Sequence, residues 1–240
     1  MYFKLNILIL LWFAVHIRPT GIQENEAPIV KIINPIENDQ FSWNTLIPFA
    51  ISVRDKEDGY TEYEEIPLSK VILTVQYLSD MGEVGKNLGQ DSYRTMETLS
   101  LMASLDCFAC HKAKEKLIGP SFAEIATQYA NRSDVNKKLA NKILKGSEGT
   151  WGNQIMPAHP NIAKEEAEQM VAWIVNNGSA TDFNFFSGTS GAFKTGHEPK
   201  GKGQGSYVLT AFYADQGIDG SSESSKIGVQ TVILHPKMKP

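Results

Sequence analysis

Cys107-Phe108-Ala109-Cys110-His111 uses both cysteines of the 240-residue chain and sets a histidine directly behind the second. Two thiols at this spacing stand on one side of a short helical turn, where both can add to vinyl groups of one porphyrin. The histidine after them points its imidazole at the iron, so the pattern reads as the attachment site of a c-type haem. A zinc site would want further cysteine or histidine ligands at short spacing, and His16, His159, His197 and His235 are scattered singly. A thioredoxin-like redox pair belongs in a βαβ pattern, which the flanking residues lack. Once both thiols are used, none remains for a disulfide.

A haem iron takes a second axial ligand, and Thr150-Trp151-Gly152-Asn153-Gln154-Ile155-Met156-Pro157-Ala158-His159-Pro160 offers one about forty-five residues downstream. Pro157 and Pro160 forbid a continuing helix, because each lacks an N–H and restricts the residue before it. The segment is therefore predicted to be an extended loop of fixed shape that lays the Met156 sulfur against the iron. Met96, Met102 and Met170 fall at helical spacing among apolar residues and read as core. His159 is the rival ligand, on the precedent of other haem ligand sets.

On these residues the stretch from Ser92 to Gly178 resembles the small single-haem class I cytochromes c of bacteria. The matching pieces are the attachment motif, Lys116-Leu117-Ile118-Gly119-Pro120-Ser121-Phe122, Trp151-Gly152, and Met156-Pro157-Ala158-His159-Pro160. The resemblance implies one covalent haem c on Cys107 and Cys110, with His111 and Met156 as iron ligands. It also implies that the Pro120 carbonyl accepts the His111 Nδ1–H, which fixes the tautomer and raises the ligand's basicity. The Trp151 indole N–H would reach a haem propionate. The alternative for Trp151 is plain core, since any buried indole needs an acceptor.

Apolar periodicity agrees with an all-α unit. Tyr93, Met96, Leu99, Met102 and Leu105 recur at threes behind Ser92, a candidate N-cap. Ser121 caps a second helix with Phe122, Ile125 and Tyr129 inward, and Ser133 or Asp134 a third with Val135, Leu139 and Ile143 inward, ended by Gly146. A last helix runs from Ala163 to Asn177 and stops at Gly178, burying Ala167, Met170, Val171 and Ile174.

The net charge of −4 is unevenly placed. Residues 22–91 carry five Lys and Arg against thirteen Asp and Glu, net −8; residues 92–178 carry ten against nine, net +1. Lys112, Lys114, Lys116, Lys137, Lys138, Lys142 and Lys145 group in the second segment, either to steer an acidic redox partner or as an ordinary solvated face. No basic, aromatic-interleaved stripe points to nucleic acid.

Outside the haem segment the reading is β. Lys4 precedes thirteen mostly apolar residues, Leu5–Ile17, short for a membrane span and suited to a signal peptide. Residues 1–21 are thus a signal peptide or an uncleaved membrane anchor. Ala27–Pro35, Ile47–Val53 and Val71–Tyr77 read as strands, the last two alternating. Residues 27–80 loosely resemble PKD or immunoglobulin-like β-sandwich modules. Ser206–Tyr213 and Val229–Leu234 add two strands within residues 205–236. Three strands before and two after are each too few for a sandwich. The expectation is an α+β chain whose haem unit, residues 92–178, is inserted in one sandwich through polar linkers at Asp80–Asp91 and Ser179–Gly205; the alternative is an appended, loosely packed tail. Asp55-Lys56-Glu57-Asp58-Gly59 is read as a charged turn, and no calcium is assigned to it.

The expected function is electron transfer, because two filled axial positions leave the iron no open site. The implied partners are a donor dehydrogenase and an acceptor cytochrome or oxidase, in the periplasm or outside the cell. The competing classes are a peroxidase-like haem enzyme with a labile distal ligand, which needs acid–base residues near iron, and a sandwich binding or adhesion module with an accessory haem.

Overall fold

Short runs rich in Val, Ile, Phe and Thr build two sheets, and a helical segment interrupts these runs along the chain. The computed structural model describes residues 24–80, 90–132, 134–199, 205–220 and 224–237. The expectations for residues 1–21, for linker residues 81–89 and for Ser133 as a cap lie outside the described residues. In chain order the elements are β1 (Ile29–Asn34), β2 (Gln40–Phe41), β3 (Leu46–Asp55), β4 (Gly59–Tyr60), β5 (Ile72–Leu78), α1 (Gln90–Ser104), α2 (Phe122–Tyr129) and α3 (Val135–Lys145). Then come β6 (Ser147–Gly149), β7 (Gly152–Met156), α4 (Lys164–Asn177), β8 (Phe183–Ser187), β9 (Ser190–Lys194), β10 (Ser206–Ala214) and β11 (Ile227–Pro236).

In the first sheet β3 pairs with β1 on one edge and with β9 and β4 on the other, all antiparallel. The second sheet runs β2-β11-β10-β5-β8, antiparallel except for the β2–β11 pair. Strands on either side of the helical segment therefore share one sheet. Period two places Val30 and Ile32 of β1 and Phe49, Ile51 and Val53 of β3 on one buried face. They meet Leu73 and Val75 of β5, Leu209 and Tyr213 of β10 and Val232 and Leu234 of β11 in one core.

Two expectations need correction. The segment from Val71 to Tyr77 does not alternate: Val71, Ile72 and Leu73 are all fully buried. The second sheet is covered on both faces, because Ile72, Phe185 and Phe212 join Leu99, Met102, Phe122 and Met170 in a second core under the helices. A strand buried on both faces has no wet side to keep polar. Ser179–Gly205 is also more than a linker. It holds β8 and β9, joined by a turn at Gly188 (φ +127°) that passes from one sheet to the other, with β8 on β5 and β9 on β3. Phe183, Phe185, Phe186 and Phe193 were the overlooked apolar signal amid glycine and polar residues.

The helices keep their expected spans except at one start. α1 begins at Gln90, so Ser92 lies inside it, and Tyr93 is 51% exposed while Leu99 and Met102 are buried. At α2 the Ser121 Oγ accepts the Glu124 N–H (3.1 Å) and a Glu124 carboxylate oxygen accepts the Ser121 N–H (2.7 Å), a reciprocal capping box. Asp134 precedes α3 without a side-chain cap bond, and Gly146 ends it at φ +74°. α4 crosses α1 through the Trp173 Nε1–H to Thr95 Oγ1 (3.1 Å) and the Gln169 Nε2–H to Thr98 Oγ1 (3.2 Å). Among the described residues no helix is long and apolar enough to cross a membrane.

Candidate functional site

After α1, Asp106 adopts a left-handed conformation (φ +55°) and turns the chain into one 3-10 turn, Cys107–Ala109. The Cys110 and His111 N–H groups both return to the Cys107 carbonyl, at 3.2 and 2.9 Å. Both thiols are thereby held on one turn, and neither is in a disulfide. The Gly119 N–H donates to the Cys110 carbonyl (2.9 Å), folding the intervening loop back beneath the turn. A Cβ on Gly119 would lie 2.5 Å from His111 Cε1, so the imidazole rests directly on glycine backbone. The His111 Nδ1 is 2.6 Å from the Pro120 carbonyl oxygen, which can only accept. Nδ1 therefore carries the proton and Nε2 is left as a free donor atom. Phe122 packs on the ring at 5.4 Å between centroids.

Burial holds the His111 imidazole below its ordinary pKa, against the opposing effect of the Pro120 carbonyl. The neutral ring is the form that binds a metal. Burial likewise pushes the Cys107 thiol up to about 11.

The other wall comes from α3 and the hairpin after it. The expected extended loop is instead this short hairpin, in which β6 and β7 pair Ser147 with Met156 and Gly149 with Gly152. Pro157 and Pro160 come after the strand rather than shape it, so the ladder fixes Met156. A Cβ on Gly146 would meet the Met156 carbonyl oxygen at 2.8 Å, a close approach only glycine permits. Lys142 Nζ donates to Thr150 Oγ1 (2.6 Å) and ties the hairpin tip to α3.

Cys107, Cys110, His111, Pro120, Trp151 and Met156 all line one cleft. Its other walls are mostly apolar: Ile118, Phe122, Ile125, Leu139, Ile143, Ile155, Val171 and Ile174. Met102 and Met170 also reach it, but each is 1% exposed within the core, whereas Met156 is half-buried at the hairpin. His159 gives its backbone N–H to Ile143 and is not among the lining residues. Three grouped lysines have partners within the chain: Lys112, whose Nζ pairs with Glu115 (3.4 Å), Lys142, as above, and Lys114, whose Nζ donates to the Gly178 (2.9 Å) and Ala180 carbonyls. Two free thiols, a tautomer-fixed imidazole, a thioether and an apolar lining together fit a c-type haem. Sequence reasoning missed Gly119 and Gly146; the only available signal was their place beside the haem-binding motifs.

A family model described as Cytochrome c matches residues 89–178. Over 70 residues the chain is 44% identical to cytochrome c-552 of Hydrogenobacter thermophilus, covering 29% of this chain and 70% of that one. It is 39% identical over 70 residues to cytochrome c-552 of Nitrosomonas europaea, covering 29% and 68%. Against cytochrome c2 of Rhodocyclus tenuis it is 34% identical over 82 residues, covering 32% and 88%.

Proposed function

The chain belongs to the cytochrome c family, and on that footing we propose that it is an electron carrier with one haem c, joined through Cys107 and Cys110 and ligated by His111 and Met156. The observation that carries this reading is the single apolar cleft lined by both thiols, the imidazole and the thioether. When bound, the haem supplies a one-electron iron couple.

The chain's own residues do the rest. His111 donates from Nδ1 to Pro120, which orients the ring, leaves Nε2 for iron and raises its basicity. Met156 offers sulfur from the end of a paired strand, and such a ligand raises the potential relative to an all-histidine set. Ile125, Leu139, Ile143 and Val171 keep water from the ring, and the Trp151 indole N–H serves a propionate. With His111 and Met156 both holding the iron, no ligand position would be left for a substrate, and the haem would supply electron exchange. The haem unit spans residues 92–178, inserted in a β unit built from residues 27–80, 183–194 and 205–236, with residues 1–21 as signal peptide or anchor. Its donor is a dehydrogenase and its acceptor another cytochrome or an oxidase, in the periplasm or outside the cell.

The test is Met156→Ala, with the ferric absorption spectrum and midpoint potential of the purified, haem-loaded chain as readouts. The variant is expected to lose the weak long-wavelength band of sulfur-ligated ferric haem. Its midpoint is expected to fall by a measurable part of the ~0.8 V span that axial ligands command. An unchanged spectrum and midpoint would overturn the ligand assignment.

A further inference from the structure

Three segments distant in sequence meet at one edge of the β unit: residues 24–26, the turn Asp55–Asp58 at the end of β3, and residues 215–217 and 224–226 between β10 and β11. Asn25 Nδ2 donates to Asp215 Oδ2 (2.9 Å) and to the Ser224 carbonyl (2.8 Å). Asp215 Oδ1 accepts the Gly217 and Lys226 N–H groups, both at 2.9 Å. Asp58 Oδ2 accepts the Tyr213 hydroxyl (2.7 Å) and the Gln216 N–H (2.9 Å). These bonds lash the three segments together.

Four oxygens are left over. Asn25 Oδ1, Asp55 Oδ2 and both carboxylate oxygens of Glu57 are shielded from solvent and accept no hydrogen bond among the described residues. Asn25 and Asp55 are each only 4% exposed. An acceptor buried without a donor is costly, a carboxylate most of all, and native interiors rarely leave one so. Nor do the nearby cations answer them: Lys56 pairs with Glu26, and Lys226 Nζ donates to the Asn25 carbonyl (2.6 Å).

We propose that this edge is a calcium site, with Asn25 Oδ1, Asp55 Oδ2 and the Glu57 carboxylate as ligands. All are hard oxygen donors, which suits calcium over metals that favour nitrogen or sulfur. Glu57 has both oxygens free, the condition for bidentate binding, which calcium's flexible six- to eight-fold shell accepts and magnesium's strict octahedron does not favour. Among the described residues no three or more His, Cys, Asp or Glu side chains form a metal cluster. The proposed set accordingly draws on two carboxylates and one amide, with backbone oxygens or water completing the shell. Orienting bonds stand behind two of the ligands, Asn25 and Asp55. Asp215 holds the Asn25 Nδ2, which leaves Oδ1 as the presented atom, and the Glu57 and Asp58 N–H groups (3.0 and 2.7 Å) occupy Asp55 Oδ1, which leaves Oδ2. The motif that reads in sequence as a turn becomes a site only when residues 24–26 close over it. The proposal is independent of the haem.

The experiment is calorimetric titration of the full, haem-loaded chain, freed of metal with EDTA, using calcium chloride and then magnesium chloride, with thermal unfolding in parallel. One calcium is expected to bind with a dissociation constant of roughly 10⁻⁴–10⁻³ M, the range of extracellular modules. Magnesium is expected to bind at least about tenfold more weakly, and saturating calcium to raise the unfolding midpoint by several degrees. Because Asp55 is buried and its loss endangers the fold, Glu57→Gln carries the test. It should weaken calcium binding about tenfold or more and, because it removes an unpaired buried charge, should not lower the midpoint in EDTA, while Glu64→Gln, which removes an exposed charge elsewhere, should keep the full calcium response. Absence of any calcium response in the unsubstituted chain, equal affinity for magnesium, or an undiminished response in Glu57→Gln would each sink the proposal.

Discussion

His111 is fixed from two directions, by the Pro120 carbonyl at Nδ1 and by the flat backbone of Gly119 under the ring. The second contact makes a specific demand. Gly119→Ala forces a methyl to within 2.5 Å of His111 Cε1, with no flexible tip to give way. Overpacking of this kind costs about 1–3 kcal/mol. Thermal unfolding of the haem-loaded variant should show a lower midpoint together with a changed ferric spectrum, since the ring must tilt. If stability falls and the spectrum stays as it was, Gly119 is a packing residue only. The contrast between the two contacts also explains what could be read beforehand. Cys107, Cys110, His111 and Met156, which meet at the cleft, could be named beforehand because their chemistry lies in groups that the letters name, whereas Pro120 acts through a backbone carbonyl and came only from the resemblance. Gly119 and Gly146 act through a missing Cβ, which no pattern announces. Asn25 and Glu57 were illegible for another reason: their oxygens lose their donors only when segments some 190 residues apart come together, as the Asn25–Asp215 bond records.

Helix α2 carries the phenylalanine that packs on His111, and its start rests on the Ser121–Glu124 capping box. Ser121→Ala removes the side-chain acceptor and is expected to cost about 1 kcal/mol in denaturant unfolding. The same box sets a pH dependence. Hydrogen bonds from the Ser121 backbone and hydroxyl hold the Glu124 carboxyl below its ordinary pKa of 4.5. A carboxyl with a depressed folded value adds stability above its unfolded pKa and loses it as pH falls through the folded one. Glu124→Gln should therefore be less stable than the unsubstituted chain near neutrality, and the difference should narrow steadily below pH 4.5. A difference that stays constant from neutral to acid pH would assign the effect to packing instead. α2 was legible because the capping serine and the apolar stripe agree at one place. β5 misled because alternation presumes one wet face, and the β6–β7 hairpin was hidden because Pro157 and Pro160, which follow it, read as marks of a loop.

The second sheet works as a shared floor, with the first sheet's core on one face and the helices on the other. Phe185 of β8 stands at that junction, packed against Phe108 (5.4 Å), Phe122 (5.8 Å) and Trp173 (5.8 Å), beside Ile72 and Phe212, which are fully buried. The haem unit therefore completes its hydrophobic core with side chains that the β unit supplies. Topology is the cause: β8 follows α4 and returns at once to the edge of β5, carrying Phe183 and Phe185 under the helices. A unit that borrows core from its neighbour should unfold with it. Denaturant unfolding followed by haem absorbance and by far-ultraviolet dichroism should give coincident transitions for the unsubstituted chain. Phe185→Ala removes the joint from both sides and, at about 3–5 kcal/mol for a buried phenylalanine, should pull the haem signal to lower denaturant while the β signal moves less. Transitions already separate in the unsubstituted chain would show that the two cores stand alone, and that the sheet's outer face is a resting place rather than a structural part of the haem pocket.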